Sequence, residues 1–258
     1  MKISQVFLYD EPSVPEINIK HISNFIKELF GIDANIQKNI LSFGDYETAK
    51  KIASCRVFNP RRPFESHNPT PEEIEFEIRN ESDSATTENI IMYDGFEFQK
   101  IMSDLIPNEE QILETFHIIF TNKLICTYDY NDYRYHGRAL IGTNPSIIST
   151  TGIIEAPAKP REYYIELISN MTQGLNLESV KRKYSGRYLE YHDKRLDKIV
   201  EGYVLQAIFY YITGEAFCDS LECRLHNAHW QKDLLYSQLE VGRLCDKHQK
   251  ILKNLWMT

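Results

Sequence analysis

Apolar and polar positions alternate along this chain in a way that predicts most of its elements. Ser4–Leu8 reads as a strand. Ile22, Phe25, Ile26, Leu29 and Phe30 then repeat at helical spacing up to Gly31, which suits a helix C-cap. A second strand is expected near Asn35–Lys38, and a short helix over Tyr46–Arg56 carries Cys55. After a helix near Phe96–Leu105 come four short strand candidates, His117–Thr121, Leu124–Tyr128, Ala139–Gly142 and Ser146–Thr150. Pro157 and Pro160 close this stretch, and a helix follows at about Glu162–Met171.

The clearest pattern comes next. Leu196, Ile199, Val200, Tyr203, Val204, Ala207, Ile208, Tyr211 and Ile212 recur at i, i+3, i+4 spacing. Leu205, Phe209 and Tyr210 fill the other face, so the second half of this helix is apolar nearly all round and belongs in the interior. Gly214 suits its end. Two more helices, roughly Ala228–Glu240 and Arg243–Met257, are separated by Gly242.

The order of these elements predicts a mixed α/β (α+β) protein. Residues 1–175 form a mixed-sheet region, and residues 176–258 a helical C-terminal region around a long buried helix. Residues 59–89 break the pattern with Pro60, Pro63, Pro69 and Pro71, the acidic run Glu72–Glu77 and a Ser/Thr/Asn tract. They read as a flexible insertion holding at most one short helix or edge strand.

Charge narrows the function. A net charge of −8 argues against nucleic acid or an anionic membrane as partner. The one basic cluster, Lys181–Arg187 with Tyr184, Tyr188 and Arg195 beside it, reads as a solvated face in so acidic a chain. The apolar run Tyr203–Ile212 is too short and too polar to span a bilayer. No secretory signal precedes the first strand, so the cytoplasm is the expected compartment.

There, clustered thiols with a nearby histidine suggest metal before disulfides. Three of the five cysteines crowd toward the C-terminus as Cys218-x4-Cys223 and, after a gap of 21 residues, Cys245-x2-His248. Zinc takes four tetrahedral sulfur or nitrogen donors, and such short pairs supply them two at a time. Four protein donors leave no open position, so the expectation is one structural zinc pinning the end of the buried helix to the last helix. His226 and His229 stand close enough to Cys223 in sequence to replace His248. Cys55 and Cys126 lack a histidine motif and read as buried thiols.

Gly214-x3-Cys218-x4-Cys223-x-Leu225, followed by Cys245-x2-His248, resembles the archaemetzincins, zinc metallopeptidase-like proteins of archaea and some other lineages. Their motif runs HExxHxxGxxHC-x4-C-x-M and then C-x2-C. In them three histidines bind a catalytic zinc, the glutamate is the base, and four cysteines hold a structural zinc. The resemblance implies a metzincin-like fold, with Gly214, Cys218, Cys223 and Cys245 at family positions and His248 replacing the fourth cysteine. The catalytic positions fall on Ala207, Ile208, Tyr211 and Phe217, and neither HExxH nor HxxEH occurs anywhere in the chain. A zincin needs two helix histidines at i and i+4 and a carboxylate to activate water, so no catalytic zinc is expected here.

Two other stretches hold candidate chemistry. Asp129–Arg138 gathers Asp132, Arg134, His136 and Arg138. With Glu155 it could supply acid/base and anion-binding groups, or it is simply a polar hairpin. In a metzincin-like fold, Ser146–Pro160 would line the cleft as an edge strand and pair with an extended peptide, or it is a plain strand exit. Two functions follow: a non-catalytic protein whose cleft binds a peptide or protein segment, or a hydrolase with a site rebuilt from His136, Glu155 and Arg134, with His226 or His229 as a further member.

Overall fold

The computed structural model describes residues 3–79 and 90–255. Strand β1 (Gln5–Tyr9) leads to helix α1 (Ile19–Phe30) and strand β2 (Ala34–Gln37). The Asn18 side chain caps α1 by accepting from the His21 amide, and Gly31 closes it at φ 66°, a left-handed conformation that costs glycine nothing. Helices α2 (Tyr46–Ser54) and α3 (Pro71–Arg79), strand β3 (Met92–Asp94) and helix α4 (Gly95–Asp104) follow. Five strands come next: β4 (Thr115–Thr121), β5 (Leu124–Asp129), β6 (Arg134–Arg138), β7 (Leu140–Ile141) and β8 (Ser146–Ser149).

The strands form two sheets. The larger has the order β2-β1-β4-β8-β7, parallel except for the edge strand β7, which runs antiparallel to β8. The smaller has the order β3-β5-β6. Ser146–Pro160 therefore does not supply the edge. β8 lies inside the larger sheet, and the edge is β7.

Directly after β8 the chain coils into α5 (Thr150–Glu155). The hydroxyl of Ser149 starts that helix by accepting from the Gly152 amide at 2.8 Å. Gly152 is needed there, because a Cβ would stand 2.0 Å from the carbonyl oxygen of Arg138. Helix α5 thus packs directly on the backbone of β6.

Helices α6 (Arg161–Thr172) and α7 (Glu178–Tyr184) precede the long α8 (Leu196–Thr213). Every residue of α8 from Ile199 to Phe209 is buried, as its all-round apolar pattern requires. Its inner face joins Val6, Leu8, Phe116, Ile118 and Ile148 of the sheet and Ile22 and Ile26 of α1 in one cluster. The segments 1–175 and 176–258 therefore share their main core. Gly214 ends α8 at φ 80°. After α9 (Gln231–Leu235), the chain runs on as a π-helical turn, Tyr236–Val241, and then as α10 (Asp246–Leu255).

Within residues 59–89, α3 packs Ile74 against Ala49 and Ala53 of α2. Glu77 of α3 is fully buried and takes Arg56 at 2.7 Å, Lys123 at 2.6 Å and the Tyr93 hydroxyl at 2.8 Å. Three donors offset the desolvation of one carboxylate and tie α3 to β3, to the turn between β4 and β5 and to the chain after α2. Residues 80–89 lie outside the described residues. No described helix is long and apolar enough to cross a membrane.

Candidate metal centre and adjoining groove

The loop after α8 turns on itself. The Cys218 amide donates to the Leu225 carbonyl and the Cys223 amide to that of Ser220, which brings both sulfurs to one side. Cys245 immediately precedes α10, and His248 lies in its first turn. The donor atoms of Cys218, Cys223, Cys245 and His248 all lie within 4.8 Å of one another. Cys218 Sγ stands 3.9 Å from Cys245 Sγ. His248 Nδ1 stands 3.5 Å from Cys223 Sγ and 3.1 Å from Cys245 Sγ. Zinc bonds of 2.0–2.3 Å in a tetrahedron span donor-to-donor edges of roughly 3.4–3.8 Å, so this set fits the ion in donor type and nearly in spacing.

The surroundings act differently on the donors. Burial pushes the Cys223 thiol up to about 12, a group that calls for a cation before it ionises. Burial acts on Cys245 in the same sense. The amides of His248 and Lys247 and the Cys223 and Cys218 thiols outweigh it and hold Cys245 below the usual thiol range. For His248, burial and then Lys247 favour the neutral ring, the form that binds metal. The His248 ring packs edge-on against Phe209 of α8, with centroids 5.8 Å apart. His226 Nδ1 is buried with no partner among the described residues, yet neither His226 nor His229 belongs to the four-donor group.

A ligand loop needs an anchor, and Arg224 provides it. This buried arginine donates to Glu201 of α8 at 2.9 Å, to the Lys198 carbonyl at 2.5 Å and to Gln238 at 3.2 Å. The residue beside Cys223 is thereby locked to the core helix.

A groove lies along β7 and β6, made of two adjoining pockets of about 300 and 330 Å³ that share Arg138, Leu140 and Phe217. Tyr203 faces the first pocket and Tyr210 the second. His136 and His229 both line the first. His136 Nε2 is held 2.9 Å from Asp132, which also takes Arg134 at 2.6 Å. Asp129, Asp132 and His136 form a second loose donor group, exposed at the Asp132 end.

Glu155 closes α5, 3.5 Å from Lys159. It is absent from the residues that line the groove beside His136. Of the positions matched to the zincin motif, Ala207 and Ile208 are fully buried in the main core. Tyr211 stacks on Phe116 at 4.5 Å and donates to the Leu113 carbonyl at 2.8 Å. Phe217 lies in the groove, about half exposed.

No curated protein matches this chain. Among solved structures, the zinc-dependent peptidase from Methanocorpusculum labreanum matches at 12% identity. That match covers 96% of this chain and 99% of the other, at a TM-score of 0.47, too loose to assign anything by itself. The family match is decisive: over residues 2–255 the chain belongs to the family described as "Probable metallopeptidase family (DUF6775)".

Proposed function

We propose that this chain is an archaemetzincin-like zinc protein that has lost the catalytic zinc and keeps the cleft as a groove for a peptide or protein segment. The packing of Ala207, Ile208, Tyr211 and Phe217 carries this reading. Three are engaged in the core or against Phe116, and the fourth offers the groove a phenyl ring. None is a histidine or a water-activating carboxylate, and the Tyr211 hydroxyl is spent on the Leu113 carbonyl, so the zincin donor set and base are not at these positions. The family name gives the lineage, and these side chains argue against its chemistry in this member.

One zinc, held by Cys218, Cys223, Cys245 and His248, would be structural, since four protein donors leave no place for substrate. It supplies a cross-link between the end of α8 and the start of α10. Three thiol donors require a reducing compartment, which favours the cytoplasm. The outer edge of β7 has no strand partner among the described residues, and an extended segment could add there by main-chain hydrogen bonds.

A second reading, a hydrolase rebuilt around His136 and Glu155 with Arg134, draws on one observation: His136 and His229 line the same pocket. Against it stands the position of Glu155 beside Lys159, outside that lining.

The test is to incubate the zinc-loaded chain with a mixture of unstructured peptides and search for new termini by mass spectrometry. The non-catalytic reading expects none beyond those produced by His136→Ala and Glu155→Gln variants. Cleavage that His136→Ala abolishes would establish the hydrolase instead.

A further inference from the structure

The groove differs in charge from the rest of the molecule. The chain holds 37 acidic residues against 29 lysines and arginines, yet none of the described residues lining either pocket is an aspartate or glutamate. Its charged and polar lining comes instead from Arg138, His136 and His229, with the neutral Asn227, Gln99 and Thr127.

Arg138 is the centre of this arrangement. Arg56, Arg134, Arg195 and Arg224 each hold a carboxylate of this chain. Arg138 has no such partner among the described residues. Its Nε donates to the Thr127 hydroxyl at 2.7 Å, which orients the guanidinium plane, and its Nη groups make no hydrogen bond among the described residues. A planar fork steadied at Nε suits two parallel hydrogen bonds to a carboxylate, and arginine provides them better than lysine can.

Position then selects the source of that carboxylate. Arg138, Leu140 and Phe217 line both pockets, so the Arg138 side chain stands where the two meet. A chain terminus docked there would fill only one of them. A side chain from the middle of an extended segment lets the flanking residues occupy both, against Tyr203 on one side and Tyr210 on the other.

We propose that the groove selects an acidic peptide segment, with an internal glutamate or aspartate side chain paired to Arg138. This deepens the peptide-binding reading above and rests on it. The groove also disfavours peptides approached through a free amino terminus, since none of its described lining residues is a carboxylate to receive an ammonium group.

The experiment measures binding of labelled ten-residue peptides to the zinc-loaded full chain by fluorescence anisotropy. One peptide carries a central glutamate and is amidated at its C-terminus. A second carries glutamine in its place. A third is the glutamine peptide with a free C-terminal carboxylate. The expected result is binding of the glutamate peptide about tenfold or more tighter than either glutamine peptide, the range for a charge-assisted hydrogen-bonded pair. That preference should vanish in Arg138→Gln, with thermal melting checked to show that the variant folds.

Equal binding of the first two peptides would overturn the proposal and leave the peptide-binding reading standing. So would a preference for the third peptide alone, which would mark a terminal carboxylate as the ligand, or a glutamate preference that survives in a folded Arg138→Gln. Failure of all three peptides to bind would overturn the peptide-binding reading itself.

Discussion

The backbone amide of Cys245 donates to the sulfur of Cys223 at 3.4 Å, joining the two halves of the donor set through the polypeptide itself. The arrangement has two consequences. It steadies negative charge on a buried sulfur that burial alone would keep protonated, and it sets the spacing between the loop after α8 and the start of α10. Phe209, Leu205 and Leu225 close around the same sulfur, so the centre is built onto the core helix.

The anchor of that loop is testable apart from the metal. In Arg224→Met the carboxylate of Glu201 stays buried without its arginine, a change that costs about 3–5 kcal/mol when nothing compensates. Lys198 still reaches Glu201 at 2.6 Å, which points to the lower end, near 3 kcal/mol. Thermal melting should fall by roughly 6–12 °C on the scale for a chain of this size. Replacing Glu201 by glutamine as well should restore part of the loss. An unchanged melting temperature in the single variant would show that the ion pair does not hold the loop.

His117 predicts a pH dependence. It is buried in β4, stacks on Phe7 with centroids 5.0 Å apart, and shares hydrogen bonds with Tyr9 at 3.2 Å and the Glu110 carbonyl at 3.1 Å. Burial lowers its pKa in the folded state, with Glu110 opposing. The unfolded chain therefore takes up a proton near pH 6.5 that the folded chain refuses until a lower pH. The stabilisation is complete above about pH 6.5 and is lost as pH falls through the folded value. Melting of wild type should drop more between about pH 7.5 and about pH 5.5 than melting of His117→Gln. Parallel curves would contradict the assignment.

The elements most legible from sequence were those whose burial leaves a strong pattern. The second half of helix α8 is apolar nearly all round because it is covered nearly all round, and Gly31 and Gly214 mark helix ends by adopting the left-handed conformation. The clustering of Cys218, Cys223, Cys245 and His248 was legible because pairs at such short spacings place two side chains on one side of a turn or one face of a helix.

What escaped was set by tertiary contact. Strand β6 has the composition of a polar turn, and only its pairing with β5 makes it a strand. Residues 150–154 are β-branched or glycine and read as a strand exit. They coil because the Ser149 hydroxyl caps them and Gly152 presses on Arg138. The setting of Arg138 was only partly legible: the sequence marks it among candidate anion-binding groups, but not that it lines two adjoining pockets with no carboxylate among their described lining residues. A missing aspartate or glutamate around it would have been the signal, and only the fold shows which residues surround it.

The most direct measurement is zinc content per chain, by elemental analysis, on wild type and Cys223→Ser prepared without chelator. The account predicts one zinc in wild type. It predicts loss of that zinc in the variant, with a fall in melting of about 6 °C or more as a cross-link worth several kcal/mol goes. Two zincs per chain, one of them surviving Cys223→Ser, would contradict the loss of a catalytic metal, and no zinc in wild type would contradict the metal centre itself.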